Sequence, residues 1–477
     1  MSGTAVSSTP ERARAGRTAG GSAWWVPVRV WAAGLAVLAA AVAPAAAAPT
    51  PPTPATPPVA AQAGTFAYVA NGLTDNVSAI NTADNSVTTT FGVGEDPNGV
   101  AVSPDGSRVC VANRLSDTMS LILPSIGSVL GVDVGDNPVG VAVSADGTRC
   151  YVTNTQSNNM TVVNTAAFPL PVVATVHVGT RPQGVALAVD GTRAYIANNF
   201  DNTVAVVDTT ANTLLTTIPV GQLPQGVASA PDGSRVYVTN FGDGTLSVID
   251  TASNTVELTI PIGTDTSPAD VAVSRDGTRA YTANFESGDV SVIDTAANPP
   301  SVIATVPVGE EPLGVAVTPD GTRAYATSSD DNTVSVIDTA THTVTDTITG
   351  FDIPLGVAVG TRTLGGSPTT LTLKAEGNGH GKGEPGSLSD RGPTLKVRLT
   401  GSGGPLEGKE ILFSTGPNPL CIEGTDSRGR ATCAVPGRRA ERACYTATFP
   451  GDAAFGPASS TVCTKDTHGR PRPPAGD

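Results

Sequence analysis

One phrase of sequence recurs seven times between residues 64 and 363, and it limits the folds open to this chain. Each unit opens with Pro-x-Gly-Val-Ala-Val or a close variant, continues through Asp-Gly and two further apolar runs, and closes with a Thr-Val-x-x-Thr-Ile run. The opening prolines recur every 41 to 44 residues, at Pro97, Pro138, Pro182, Pro224, Pro268, Pro312 and Pro354. Four short β-like runs at this period are typical of the blades of a β-propeller. No long segment has the 3.6-residue period of a helix, so the fold class is predicted to be all-β.

The two ends of the repeat array complement each other. The array begins inside a unit, with the second run at Phe66 to Asn71, and ends with an isolated first run at Gly356 to Gly360. Pairing these ends would remove the exposed edges of an open stack of sheets. We therefore predict a seven-bladed propeller over residues 64–363, closed by a C-terminal strand that completes the first blade. The Asp-Gly pair between the first two runs predicts type I′ hairpin turns.

The run that contains the repeat tyrosine carries a family resemblance. It stands as Tyr151-Val-Thr-Asn154 and Tyr237-Val-Thr-Asn240, with variants such as Tyr195-Ile-Ala-Asn198. These residues resemble the YVTN family of bacterial and archaeal β-propeller repeat proteins. The resemblance implies a secreted or surface-layer-like protein, although related propellers include lactonases and other enzymes. Fold alone does not determine activity.

The first 63 residues are predicted to be an export signal and a spacer. Arg12, Arg14, Arg17 and Arg29 precede a short apolar run that ends in small residues, which is typical of a secretory signal peptide over residues 1–48. An uncleaved N-terminal anchor is the alternative. Residues 49–63 are rich in Pro, Ala and Thr and form a predicted extended linker. We expect a secreted, extracellular protein that could also associate with the cell wall, with no membrane insertion after cleavage.

Residues 367–465 differ in composition from the repeats. Short β-like runs separated by Gly and Pro predict a β-sandwich. The segments beginning at Pro405, Thr425 and Phe449 resemble bacterial Ig-like repeats of surface proteins, which are typically spacers or adhesion modules. The tail at residues 466–477 is rich in proline and is predicted to be disordered.

Six cysteines in an exported chain predict disulfide bonds. Cys421 and Cys433 lie symmetrically about a predicted turn, as do Cys444 and Cys463, so we expect both bridges. Cys110 and Cys150 occupy adjacent positions of successive repeats and point to opposite faces. They predict an inter-blade disulfide if those faces meet, with two small buried thiols as the alternative.

Charge excludes several partner classes. Residues 64–363 contain 30 Asp and Glu against 10 Arg and no Lys. Nucleic acids and anionic membranes require basic patches, so neither is expected as a partner. The expected partner is a protein or a cell-wall component. We expect the chain itself to be a monomer.

The loops after the tyrosine strand contain the only sequence candidate for a binding site. These loops have a uniform length, but three successive repeats add an aromatic and an acidic residue. The candidate rim patch consists of Phe200, Asp201, Phe241, Asp243, Phe285, Glu286 and Arg181. The alternative is a solvated rim whose phenylalanines pack the loops. The arginine that follows each Asp-Gly pair is predicted to have a structural role, because it recurs in six units.

No catalytic or metal-binding motif is found. The four histidines are scattered, and no His-x-x-x-His pair, EF-hand loop or Gly-x-Ser-x-Gly elbow occurs. We predict no catalytic residue, no metal site and no cofactor, while a loose acidic calcium site on the rim stays open as an alternative. The leading hypothesis is a non-enzymatic binding or structural surface protein. The alternative is an extracellular lactonase-like propeller hydrolase that acts on a small substrate.

Overall fold

The structure, a computed structural model, describes residues 64–362, 370–376, 394–401, 404–415, 418–435, 444–449 and 458–463. The predicted signal segment, the linker and the C-terminal tail lie outside these ranges. Every regular element in the described part of the chain is a β-strand, so the all-β prediction is confirmed.

The repeat region forms four-stranded antiparallel sheets, which we number in chain order. Sheet 1 contains β1 (Gly64–Asn71), β2 (Asn76–Asn81), β3 (Ser86–Gly92) and β28 (Pro354–Arg362). Sheet 2 contains β4 (Pro97–Val102), β5 (Val109–Asn113), β6 (Thr118–Leu123) and β7 (Ser128–Asp133). Sheet 3 contains β8 (Pro138–Val143), β9 (Arg149–Asn154), β10 (Asn159–Asn164) and β11 (Val172–His177).

The next four sheets follow the same order. Sheet 4 contains β12 (Pro182–Leu187), β13 (Arg193–Asn198), β14 (Thr203–Asp208) and β15 (Thr213–Pro219). Sheet 5 contains β16 (Pro224–Ser229), β17 (Arg235–Asn240), β18 (Thr245–Asp250) and β19 (Thr255–Pro261). Sheet 6 contains β20 (Pro268–Val273), β21 (Arg279–Asn284), β22 (Asp289–Asp294) and β23 (Ser301–Pro307). Sheet 7 contains β24 (Pro312–Val317), β25 (Arg323–Ser328), β26 (Thr333–Asp338) and β27 (Thr343–Thr349).

The apolar core lies between neighbouring sheets. Tyr195 of sheet 4, for example, is fully buried and belongs to the same core cluster as Val236 and Val238 of sheet 5. The second and third strands of each sheet are therefore buried on both faces, as their almost continuous apolar runs require. The fourth strand is mostly exposed and keeps threonines on its outer face. This stacking of sheets through their faces is the arrangement of a β-propeller.

The last strand of the repeat region pairs with the first. In sheet 1, β28 is hydrogen-bonded to β1, and Ala358 lies opposite Tyr68. The first strands of successive sheets contact one another, and β28 contacts both β24 and β4. Contacts between the described sheets therefore run from sheet 1 through sheet 7 and return to sheet 1.

The Asp-Gly turns differ from the predicted type. The N–H of Gly106 donates to the carbonyl of Ser103, and only Gly106 has a positive φ, of 67°. Type I′ would require positive φ at both Asp105 and Gly106, and Asp105 does not have it. The turn is type I with glycine in the left-handed region after it. The predicted type I′ turns were wrong because the Asp-Gly signal applies to two-residue loops, whereas Ser103 and Arg108, which share a backbone hydrogen bond, enclose a four-residue loop.

The C-terminal region forms two further sheets around one core. One contains β29 (Thr370–Glu376), β30 (Thr394–Gly401), β31 (Gly404–Pro405) and β34 (Arg430–Ala434). The other contains β32 (Glu410–Thr415), β33 (Asn418–Gly424), β35 (Cys444–Phe449) and β36 (Ala458–Cys463). Leu395 and Val397 of the first sheet share a buried cluster with Phe413 and Tyr445 of the second.

This C-terminal module packs against sheets 2 and 3. Leu412 of β32 belongs to the buried cluster that contains Cys110 and Cys150, and Phe168 packs against both that cluster and the core of the module. Arg108 forms an ion pair with Glu410 at the same contact. Burial raises the pKa of the Glu410 carboxyl, while the Arg108 guanidinium lowers it. The module is therefore held on the repeat region by apolar packing and a partly buried charge pair.

Candidate functional site

The predicted rim is formed by two sets of loops that hydrogen-bond to each other. The N–H of Arg114, after the second strand of sheet 2, donates to the carbonyl of Asp96, before its first strand. The same bond joins Thr155 to Asn137 in sheet 3. The repeat asparagine stabilises this rim from below: Nδ2 of Asn71 donates to Ser78 Oγ at 2.9 Å inside its own hairpin. Both loop sets are thus fixed by the repeat itself.

The acidic residues of the candidate rim patch bind neighbouring loops of their own sheets. Asp201 Oδ2 accepts the N–H of Thr180, and Asp243 Oδ2 accepts the N–H of Gln222, each at 2.6 Å. Glu286 Oε2 accepts the hydroxyl of Ser267 at 3.0 Å. These carboxylates satisfy loop donors that water would otherwise have to satisfy.

The aromatic residues of the candidate patch form two pairs. The rings of Phe241 and Phe285 lie 5.9 Å apart between centroids, and the guanidinium carbon of Arg181 lies 4.7 Å from the centroid of the Phe200 ring. Among the described residues, no ring contact joins Phe200 to the other pair. The patch is therefore divided into a phenylalanine pair and a cation–π pair.

Two exposed leucines extend the apolar surface of this rim. Leu73 and Leu115 are 64% and 63% exposed, and Phe200 is 52% exposed. All three stand two residues after the repeat asparagine, in sheets 1, 2 and 4. The leucines were not predicted as candidates because they are neither aromatic nor charged. Comparison of this position across the repeats would have found them.

Asp270 is a second departure from the repeat, at the inner edge of sheet 6. Its position is occupied by glycine in the other six units, because the first strands of adjacent sheets approach closely there. A Cβ added to Gly314, for example, would lie 2.6 Å from the carbonyl oxygen of Leu355. Asp270 instead reaches the next sheet with its carboxylate, and Oδ2 accepts the N–H of Val315 at 3.1 Å. Burial raises the pKa of Asp270 to about 6, against backbone hydrogen bonds that lower it.

Disulfide bonds are present, as predicted. Cys110 and Cys150 join sheets 2 and 3, with their Cα atoms 6.7 Å apart. Cys421 is bonded to Cys433. Cys444 is bonded to Cys463, which lies directly opposite it in the β35–β36 ladder.

Neither a metal-binding cluster nor a membrane-spanning helix is found in the part of the chain that the structure describes. This part contains no group of three or more His, Cys, Asp or Glu side chains placed to hold a metal ion. No helix within it has the length and apolarity that crossing a bilayer requires.

Comparison with known proteins supports the fold. A family model of YNCE-like β-propellers matches residues 24–135, and a model of the choice-of-anchor I domain matches residues 203–358. Each of these matches covers less than half of the chain. No curated protein sequence matches it significantly.

Solved structures resemble a large part of the chain. A functionally unknown protein from Desulfotomaculum acetoxidans DSM 771 superposes with a TM-score of 0.55 at 18% identity, over 62% of this chain and 99% of its own. A proposed 6-phosphogluconolactonase from Bacteroides uniformis ATCC 8492 superposes with a TM-score of 0.54 at 16% identity, with the same coverage of both chains. At these identities the likeness establishes the fold alone. The chain is a β-propeller protein.

Proposed function

We propose that this chain is a secreted or cell-wall-associated protein that binds a protein or a wall component and catalyses no reaction. In this proposal the repeat region is a seven-bladed ring of the YVTN kind. Residues 367–465 form an Ig-like domain fixed to it, and the chain acts as a monomer.

The observation that carries the proposal is that carboxylates of the rim form hydrogen bonds and an ion pair with loops of the repeat region itself. Asp201 and Asp243 accept backbone donors of their own loops, and Asp96 pairs with Arg114, with 2.6 Å between Oδ2 and Nη2. Catalysis requires titratable groups that converge on a reacting atom. Groups already bound to loops do not converge, so the rim favours recognition over chemistry.

The proposed recognition surface is the apolar part of the rim. Leu73, Leu115 and Phe200 expose more than half of their surface, an arrangement that favours contact with a partner. Disulfides support export, since such bonds persist in oxidising compartments.

The test is co-sedimentation of the purified chain, from residue 49 onward, with cell walls of the host. The rim variant carries Leu73→Ser, Leu115→Ser and Phe200→Ser. Val189, 53% exposed at an Asp-Gly turn, provides the matched control variant Val189→Ser. We expect the unmodified chain and the control to sediment with walls, and the rim variant to lose about tenfold in affinity, because three apolar contacts are removed.

If the unmodified chain stays in solution, wall association is wrong. If all three proteins sediment equally, the rim is not the binding surface. Turnover of small lactones by the unmodified chain would replace this proposal with the lactonase-like alternative.

A further inference from the structure

Three arginines that follow Asp-Gly pairs join neighbouring sheets. Nη1 of Arg149 in sheet 3 donates to the carbonyl of Thr209 in sheet 4, at 3.3 Å. Arg193 reaches Thr251 of sheet 5 at 2.9 Å, and Arg323 reaches Thr82 of sheet 1. The acceptor in each case is the threonine that follows the third strand of the next sheet.

Arg279 of sheet 6, like Arg108 and Arg235, does not make this contact. Its Nη1 lies 3.0 Å from Asp294 Oδ1 and donates to the carbonyl of Thr278 at 2.8 Å, so the guanidinium stays within its own sheet. The equivalent threonine of sheet 7 is Thr339. It lines, together with Arg279, a cleft of about 470 Å³ between sheets 6 and 7. The cleft lies where the arginine contact between sheets is not made.

A second arginine and a tyrosine also line this cleft. Arg275 stands where the other units have Pro104, Ala145, Val189, Pro231 and Pro319. It is exposed and makes no hydrogen bond or ion pair to any described residue. The hydroxyl of Tyr281 likewise has no partner within the described ranges, whereas the equivalent Tyr325 hydroxyl donates to Asn85 Oδ1 at 2.9 Å.

The Oδ1 atoms of both carboxylates in the cleft already accept hydrogen bonds. Asp276 accepts the Ser274 hydroxyl at 2.6 Å and the N–H of Thr278 at 3.0 Å, and these bonds lower the pKa of its carboxyl. Asp320 accepts the equivalent donors, Thr318 Oγ1 and the N–H of Thr322. The Arg275 guanidinium and the Tyr281 hydroxyl are the donors of the cleft that have no partner among the described residues.

We propose that this cleft binds an oxyanion, such as the phosphate or carboxylate group of a small ligand, with Arg275 as the pairing cation and the Tyr281 hydroxyl as a second donor. An arginine fork matches the geometry of both groups. Arg275 is the departure from the repeat at this cleft, since Arg108 and Arg235 also lack the threonine contact and the Tyr195 hydroxyl also has no partner among the described residues. The site is independent of the proposed wall association and of the apolar rim.

The test measures the thermal unfolding midpoint in sodium phosphate, in sodium acetate and in sodium chloride of equal ionic strength. Arg275→Pro is the informative variant, because three other units carry proline at this position and the N–H of residue 275 donates no backbone bond. Arg275→Ala is the second variant, and Tyr281→Phe removes the other donor. Arg428→Ala removes an exposed arginine from a turn of the C-terminal module and serves as the control.

We expect phosphate, acetate or both to raise the midpoint of the unmodified chain and of the Arg428→Ala control relative to chloride. The increase should disappear in both Arg275 variants and shrink in Tyr281→Phe. The anion that acts identifies the ligand group as phosphate or carboxylate. The proposal is overturned if neither anion acts on the unmodified chain, or if the Arg275 variants respond as it does.

Discussion

At the scale of single residues, Asp270 shows how one substitution in a repeat alters its energetics. The other six units use glycine where the first strands of adjacent sheets meet. Asp270 fits only by directing its carboxylate to the N–H of Val315. Burial disfavours the charged carboxylate, which is why its pKa is raised to about 6.

This raised pKa makes a signed prediction for pH. A carboxyl whose folded pKa lies above its unfolded value stabilises the fold at low pH and loses that contribution as pH rises through the folded value. Asp270→Asn should therefore match the unmodified chain near pH 4 and be more stable at pH 7.5. A shift from 3.8 to about 6 corresponds to roughly 1–3 kcal/mol, the lower part of the range being favoured because the side chain keeps some exposed surface.

Urea unfolding at the two pH values measures this difference. Asp352→Asn, at an exposed loop position, is the control and should follow the unmodified chain at both. A destabilised Asp270→Asn at pH 7.5 would contradict the inferred burial of the charge. It would show instead that the carboxylate's bond to Val315 outweighs desolvation.

At the scale of elements, the Asp-Gly turns are alike in backbone but differ in surroundings. Gly106 and Gly191 have φ values of 67° and 70°. A Cβ on Gly191 would meet nothing within 4 Å, whereas one on Gly106 would lie 2.6 Å from the carbonyl oxygen of Thr361 and 2.8 Å from Arg362 Cα. The turn of sheet 2 thus packs on the end of β28, the strand that joins both ends of the repeat region.

This difference predicts unequal effects of the same substitution. Gly191→Ala should destabilise the fold by about 1 kcal/mol, because a left-handed backbone disfavours a Cβ. Gly106→Ala should destabilise it by about 2–4 kcal/mol, because a contact with backbone atoms is added to that strain. Urea unfolding of the two variants compares them directly. Equal losses would mean that β28 moves away from the turn freely.

At the scale of the whole molecule, the C-terminal module covers the part of the repeat region that is least like a repeat. The turn after the third strand is polar in other units, as in Asp250 to Asn254, but in sheet 2 it contains Leu123 and Ile126. In sheet 3 the corresponding segment contains Phe168. All three belong to or pack against the cluster that receives Leu412. The module and these turns therefore bury each other's apolar side chains.

Removal of the module should therefore expose an apolar surface. We expect a chain that ends at residue 363 to bind a hydrophobic dye and to self-associate in size-exclusion chromatography, while the full-length chain does neither. Adding Ile126→Ser and Phe168→Ser to the shortened chain should reverse both effects, because these side chains supply the exposed surface. A shortened chain that stays monomeric and binds no dye would mean that the module contributes little to burial.

The sequence by itself determined the β-propeller class, because period and alternation are properties of the chain that require no contacts to be known. The same repeats also indicated that the two ends of the array complement each other, and cysteine usage indicated disulfides. The turn type was mispredicted because Asp-Gly indicates type I′ only in a two-residue loop, and the length of this loop depends on which residues of the two strands pair.

Only the tertiary structure decided what each departure from the repeat does, since that depends on residues distant in sequence. Arg108, Arg235 and Arg279 occupy equivalent positions, yet they bind Glu410, Glu257 and Asp294 instead of the threonine carbonyl of the next sheet. Asp201 and Asp243 are predicted members of a rim patch, and the structure shows that they accept hydrogen bonds from loop N–H groups twenty-one residues away. A repeated sequence specifies the contacts that all units share. The contacts of a residue that departs from the repeat depend instead on which distant residues the fold places beside it.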